Sequence, residues 1–230
     1  MRFPKPLDDG QSELAREASS LPRHFLYSLD NFIKGHSREL TCDDVYRMYY
    51  HLFYSLRTLR CNSENFVGYS ELLVFRVVWH VLGGAFIVDP MHSDIEWPLE
   101  FIGIDDAGVR LAQGTTWRNR QKPDIRIEVD NKLVSVVEVK VYPSVDDVAD
   151  EVQRLVGFHA EEPDLRALLL IYSFREPQRS AELLREAQAS HGDYLSSVVL
   201  HEKREPLARV LGDSLGLDRL AARGWPQALG

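Results

Sequence analysis

The sequence predicts an α/β fold, a mixed central β-sheet flanked by helices, with a helical segment at the N-terminal end. Three observations predict it. Residues 123–140 alternate apolar and polar as two strands around a short polar turn. Residues 165–172 are an unbroken aliphatic run, the pattern of a parallel strand buried on both faces. The segments around them carry the i, i+3, i+4 apolar spacing of amphipathic helices. The resulting order, helix, β-meander, helix, strand, helix, strand, helix, suits one sheet with crossover helices.

Taken in order, residues 1–11 read as a tail, with Pro4, Pro6 and Gly10 breaking any regular pattern. Helical patterning runs through 12–20, 22–35 and 42–60. The last of these opens on Thr41 with Asp44 three residues later, a capping pattern, and buries Val45, Tyr49, Leu52, Leu56 and Leu59. Tyr46, Tyr50, Phe53 and Tyr54 alternate there with Arg47, Arg57 and Arg60. Such interleaving suits either a platform for stacking bases or, more simply, a helical cap packed on the core. Residues 64–82 form an apolar helix stopped by Gly83 and Gly84. Its polar interruptions Arg76 and His80 stand four apart on one face. A strand at Ala85–Val88 and a hairpin, Leu99–Ile104 with Val109–Leu111, follow. Asp105 and Asp106 sit in that hairpin's turn and, with Asp94 and Glu96, are competing acids for a cation; turn chemistry accounts for the first two.

Ser144 with Asp147 marks the start of a helix over 145–159, whose core stripe is Val148, Val152, Leu155 and Val156, with Phe158 nearby. The strand at Leu165–Tyr172, a helix over 177–189, a strand over 194–200 and helices over 204–223 complete the chain. This divides it into a helical extension, 1–62, and an α/β domain, 63–230.

Composition narrows the function classes. The 230 residues are 44% hydrophobic and carry a net charge of −8, which argues against a protein that coats nucleic acid indiscriminately. A local basic track is still possible, and the densest basic run, Arg118-Asn119-Arg120-Gln121-Lys122, directly precedes Asp124. Arg118, Arg120 and Lys122 are candidate phosphate contacts or simply a solvated loop. Two isolated cysteines, Cys42 and Cys61, make no zinc spacing and point to a reducing, cytoplasmic setting. No run has the length of a membrane span, and the first residues lack the apolar core of a leader. Glycine-rich phosphate loops, nucleophile elbows and zinc motifs do not occur, and the histidines lack ligand spacing.

The chemistry concentrates in Pro123-Asp124 and Glu138-Val139-Lys140. If Asp130, Asn131 and Lys132 form the turn, Val129 opposes Leu133, Ile125 opposes Val137 and Asp124 opposes Glu138. Opposed Cβ atoms lie about 5 Å apart. In this register the aliphatic residues of both strands share one buried face. Two opposed carboxylates repel, and a hard divalent cation with oxygen ligands would offset that. Lys140, two residues beyond Glu138, would hold a water or neutralise charge on a phosphate. The plainer reading is a charged pair that keeps a sheet edge soluble. Glu71, in the 64–82 helix, shares a stripe with Val74, Phe75 and Val78. It is either a further acid of the site or an ordinary first-turn glutamate, with Glu64 as the next choice. Gln153 falls near the mouth of the sheet, where it would bond a phosphate, a water or Lys140. Arg154 and His159 read as surface groups.

Pro123-Asp124, a thirteen-residue gap, Glu138-Val139-Lys140, an upstream helical Glu71 and a downstream helical Gln153 resemble the PD-(D/E)xK nuclease superfamily. The order is similar to that of nuclease domains of type I restriction motor subunits. The resemblance covers residues 64–175. It implies a restriction-endonuclease-like core and a metal-dependent deoxyribonuclease. Asp124, Glu138 and the Val139 carbonyl would bind Mg²⁺, with Mn²⁺ as a substitute, and Lys140 would place the hydrolytic water. DNA is the implied partner, and a homodimer is compatible. Where the family often has Tyr four residues after the Gln, this chain has Gly157 beside Phe158. The competing reading is a non-catalytic module on the same fold that binds nucleic acid or protein.

Overall fold

The computed structural model describes residues 28–58, 66–81, 101–104, 109–113 and 122–216. The expected tail, the 12–20 helix, the Ala85–Val88 strand, Cys61, Glu64, Asp94, Glu96, Asp105, Asp106, Arg118, Arg120 and residues 217–223 lie outside them. Helices α1 (28–36), α2 (Cys42–Thr58) and α3 (Phe66–Val81) come first. A six-stranded sheet follows in spatial order β1 to β6: Phe101–Ile104, Val109–Gln113, Ile125–Val129, Lys132–Lys140, Arg166–Ile171 and Leu195–Val199. Helix α4 (Val145–Glu161) joins β4 to β5, and α5 (Pro177–His191) joins β5 to β6. A short 3₁₀ turn and α6 (Leu207–Leu215) close the described chain, with Gly216 in the left-handed region at φ 64°.

The first four strands form an antiparallel meander, whereas β4, β5 and β6 run parallel. The mixed sheet predicted from the sequence is therefore present, with the 165–172 run as its inner parallel strand. Parallel pairing requires crossovers, and α4 and α5 supply them.

Both faces of the sheet are buried. Ile125, Ile127, Val137, Val139, Leu168, Leu170 and Tyr172 face one layer, made by α1, α2, α3 and α6. Leu133, Val136, Ala167, Leu169 and Ile171 face the other, made by α4 and α5. The N-terminal helices are thus part of the sheet's own core: Ile33, Val45, Tyr49 and Leu52 share a cluster with Leu168 and Tyr172. Backbone bonds bind them further, from the Cys42 amide to the Glu205 carbonyl at 3.0 Å and from the Leu207 amide to the Leu40 carbonyl at 2.8 Å. Tyr49 packs on Tyr172 with ring centroids 4.7 Å apart, so the described part of the aromatic helix packs a cap, as the simpler reading held.

The two-faced burial corrects one expectation. Ile125 does oppose Val137, but the turn contains only Asp130 and Asn131, at φ 52° and 63°, and Lys132 already pairs with Val129. A register shift between Ile127 and Glu128 then sets Glu128 against Leu133. Such a bulge absorbs one residue and sends Leu133 to the α4–α5 side with Val136. The aliphatic residues of the hairpin therefore divide between two cores. Arg126 and Glu128, expected on a polar face, are also buried and pair with each other at 2.8 Å.

The capping signals were faithful. Thr41 Oγ1 accepts from the Asp44 amide at 3.1 Å while Asp44 accepts from the Thr41 amide at 2.9 Å. Ser144 and Asp147 form the same reciprocal box at the start of α4. Each such cap contributes about 1 kcal/mol. Between α1 and α3, Arg76 donates to Asp30 from Nε at 2.6 Å and from Nη2 at 2.9 Å, and His80 Nε2 lies 3.0 Å from Asp30 Oδ1. The stacked Arg76 and His80 thus share one buried acid. Among the described residues no helix is long and apolar enough to cross a membrane.

Candidate functional site

The site lies where β3 begins and β4 ends. Pro123 cannot donate to the ladder, and Asp124 takes over a bond that the backbone would otherwise make: its Oδ2 accepts from the Val139 amide at 2.8 Å. Amide and carbonyl of one strand residue point to the same side, so the Val139 carbonyl also faces Asp124. The Lys140 carbonyl points the other way, accepting from the Tyr172 amide of the β5 strand end at 2.8 Å. Asp124, the Val139 carbonyl and Glu138 therefore gather at one corner.

Glu138 is fully buried, on the α4 side of the sheet. The guanidinium of Arg154 contacts its Oε2. With both carboxylates ionised, neither Glu138 oxygen has a well-aligned hydrogen bond; a proton shared with Asp124 would supply one. Burial first, and the Asp124 charge second, hold the Glu138 carboxyl well above the usual carboxylate range, against the pull of Arg154. Burial also raises Asp124, opposed by the Val139 amide and Lys140. The two acids titrate as a pair that resists double ionisation.

Helix α4 delivers two residues. Glu151 sits on the flank of the Val148–Val152–Leu155 stripe and binds Lys140 Nζ at 3.0 Å. Arg154, one turn on, donates to Glu151 Oε2 from Nη2 at 2.7 Å and reaches the Lys122 carbonyl from Nη1 at 3.4 Å. Burial works against the Lys140 charge, but Glu151, Asp124 and Glu138 outweigh it and raise its pKa. Lys140 is thus a fixed ammonium, suited to orienting a water or meeting a phosphate rather than to taking a proton. Arg154 is likewise raised by Glu138 and Glu151 in spite of burial.

Helix α3 brings Glu71 from the opposite layer. Its carboxyl is pushed up to about 7, first by burial and then by the charge of Asp124, while Lys140 lowers it. Asp124, Glu138, Lys140 and Glu71 consequently share one electrostatic neighbourhood. Gln153 does not join them: it is exposed on α4, about 100° around the helix from Val152. Arg154 and His159 correct the expectation of surface groups. His159 is half-buried and stacks on Tyr194 at 3.5 Å between centroids. Glu151 was missed and Arg154 set aside as a surface group, although their i+3 spacing from Val148 and from each other places both beside the buried stripe. Lys122 is exposed, and Arg118 and Arg120 lie outside the described residues.

The donor set fits a hard divalent cation in kind: two carboxylates and a carbonyl, with Mg²⁺ ordinarily keeping several waters. The poorly satisfied, buried Glu138 oxygens point the same way. Among the described residues, however, no three His, Cys, Asp or Glu side chains converge closely enough to hold a metal by themselves. Arg154 is the present counter-ion of Glu138, the compensation that the sequence reading assigned to a metal. No family model, curated protein or solved structure matches the chain.

Proposed function

We propose that the chain is a metal-dependent nuclease that hydrolyses DNA phosphodiester bonds, on a restriction-endonuclease-like core of the PD-(D/E)xK type with an N-terminal helical extension. The observation that carries this reading is the corner formed by Asp124, folded onto the Val139 amide, the buried Glu138 and the ammonium of Lys140. Asp124, Glu138 and the Val139 carbonyl would hold Mg²⁺ or Mn²⁺. When bound, the ion would polarise the scissile phosphate and lower the pKa of a water in its shell. Lys140, steadied by Glu151, orients the attacking water and meets charge that develops on the phosphate. Water, losing its proton to solvent, forms the new phosphorus–oxygen bond as the bond to the sugar oxygen breaks, and that oxygen leaves with a proton taken from solvent. With an ion bound, Glu138 would turn from Arg154 to the cation, while Arg154 keeps its contact with Glu151. Glu71, where ionised, would add negative charge from the α3 side.

One observation favours the second reading, a binding module without catalysis. Arg154 already neutralises Glu138, so the opposed acids do not by themselves demand a metal. Incubation with supercoiled plasmid, linear duplex and single strands, in Mg²⁺, Mn²⁺ or EDTA, separates the two. Cleavage that EDTA abolishes supports the nuclease; intact substrates in every condition support the module.

A further inference from the structure

Tyr142 and Phe32 are the exposed large hydrophobic side chains among the described residues, at 52% and 48%. Tyr142 follows Lys140 by two residues, at the C-terminal ends of the parallel strands. The guanidinium carbon of Arg175 stands 5.7 Å from its ring centroid.

The backbone under this pair is fixed. The Tyr172 amide donates to the Lys140 carbonyl at 2.8 Å, Ser173 to Val141 at 3.1 Å and Arg175 to Pro143 at 3.2 Å. These bonds zip the segment after β4 to the segment after β5. Tyr50 of α2 braces the seam through the Ser173 hydroxyl at 3.0 Å. The pair also adjoins the catalytic corner, because the seam that carries Tyr142 and Arg175 begins at the Lys140 carbonyl, which accepts from the Tyr172 amide. Asp147 is committed to its capping box, which leaves Arg175 as the cation of this ledge.

An aromatic ring left half in water on a rigid backbone gains little for the fold. It does suit a flat, apolar face, and the neighbouring guanidinium suits the phosphate that accompanies a base. Bases inside a duplex are already stacked on each other, so only an unpaired base can offer its face. We propose that Tyr142 and Arg175 form a nucleotide subsite beside Lys140 that stacks one unpaired base and holds its phosphate, making single-stranded DNA or a frayed duplex end the preferred substrate. This rests on the nuclease reading of the adjoining corner.

The test is fluorescence anisotropy in EDTA with labelled oligothymidylate and a blunt duplex of equal length. Tyr142→Ala weakens single-strand binding about 5- to 150-fold and leaves duplex binding unchanged. Tyr142→Phe keeps wild-type affinity, Arg175→Ala lowers the salt dependence by about one phosphate contact, and Phe32→Ala changes nothing. Wild-type single-strand affinity in Tyr142→Ala, or an equal loss on duplex, overturns the subsite. Cleavage assays keep the two readings apart. If the wild type cuts nothing in Mg²⁺ or Mn²⁺ while Tyr142-dependent single-strand binding persists, the nuclease reading falls and the subsite stands. If metal-dependent cleavage is present and Tyr142→Ala alters neither binding nor substrate preference, the subsite falls and the nuclease stands.

Discussion

Asp30→Asn tests how the N-terminal helices are fastened to the sheet domain. Asp30 and Arg76 have side chains only 2% exposed, and His80 beside them 7%. The substitution leaves the Arg76 guanidinium buried without its bidentate acid, and breaking such a pair costs about 3–5 kcal/mol. The pH dependence is a second, independent signature. Asp30 is lowered from 3.8 to about 2: burial opposes its charge, but its bonds to His80 and Arg76 prevail. A depressed carboxylate contributes stability that is complete above the unfolded pKa and vanishes as pH falls through the folded one. The shift corresponds to about 2.4 kcal/mol in total, of which about 1 kcal/mol is gone by pH 3. Urea unfolding at pH 7 and pH 3 reads both figures. The wild-type advantage over Asp30→Asn should be at least about 3 kcal/mol at pH 7 and shrink by about 1 kcal/mol at pH 3. An advantage below about 1 kcal/mol at pH 7, or one that does not change with pH, would refute the reasoning.

Three further outcomes follow from the same geometry. Arg154→Gln removes the counter-ion of a fully buried Glu138; because Arg154 is itself 29% exposed, the loss in EDTA is nearer about 1–3 kcal/mol, and Mn²⁺ raises the melting temperature more in the variant than in the wild type. Equal Mn²⁺ shifts in both proteins would contradict this. Glu71 has a raised pKa, so its contribution is complete below pH 4.5 and is lost as pH climbs through about 7. Glu71→Gln should therefore match the wild type near pH 4.5 and be more stable at pH 8, by on the order of 3 kcal/mol at most, in paired urea titrations. Asn131→Val places a β-branched side chain at φ 63° and should cost about 1–2 kcal/mol by thermal melt, whereas Asn131→Gly should cost nothing.

Local signals in the sequence carried much of the fold. The Thr41–Asp44 and Ser144–Asp147 boxes bond backbone within three residues, so their patterns are sufficient. The aliphatic run of β5 marks a strand covered on both sides, and it is one. Ile125 opposite Val137 followed from an assumed three-residue turn; a two-residue turn plus the bulge arrives at the same pairing, and Asp124, one residue before the strand, bonds the Val139 amide. Other features depend on distant partners. The bulge after Ile127 redirects Leu133, and alternation cannot reveal it, because both faces of this sheet are apolar. Arg126 and Glu128 looked solvated by type but form an ion pair inside the fold. Asp30 meets Arg76 across 46 residues, a pairing that no local pattern encodes. Within the candidate site, Asp124, Glu138 and Lys140 were legible because the hairpin register is local. Arg154 was not, because its role depends on how α4 docks on β4. The helical wheel alone would have favoured Glu151 over Gln153, since Glu151 lies on the buried side.

The most direct measurement pairs Mn²⁺ calorimetry with single-turnover cleavage of labelled DNA, for the wild type and Lys140→Ala. The account predicts that both proteins bind the ion with similar affinity and share the same circular dichroism, while the variant cuts at least about 100-fold more slowly. Cleavage by Lys140→Ala at the wild-type rate, or a wild type that neither takes up Mn²⁺ nor cuts, would contradict it.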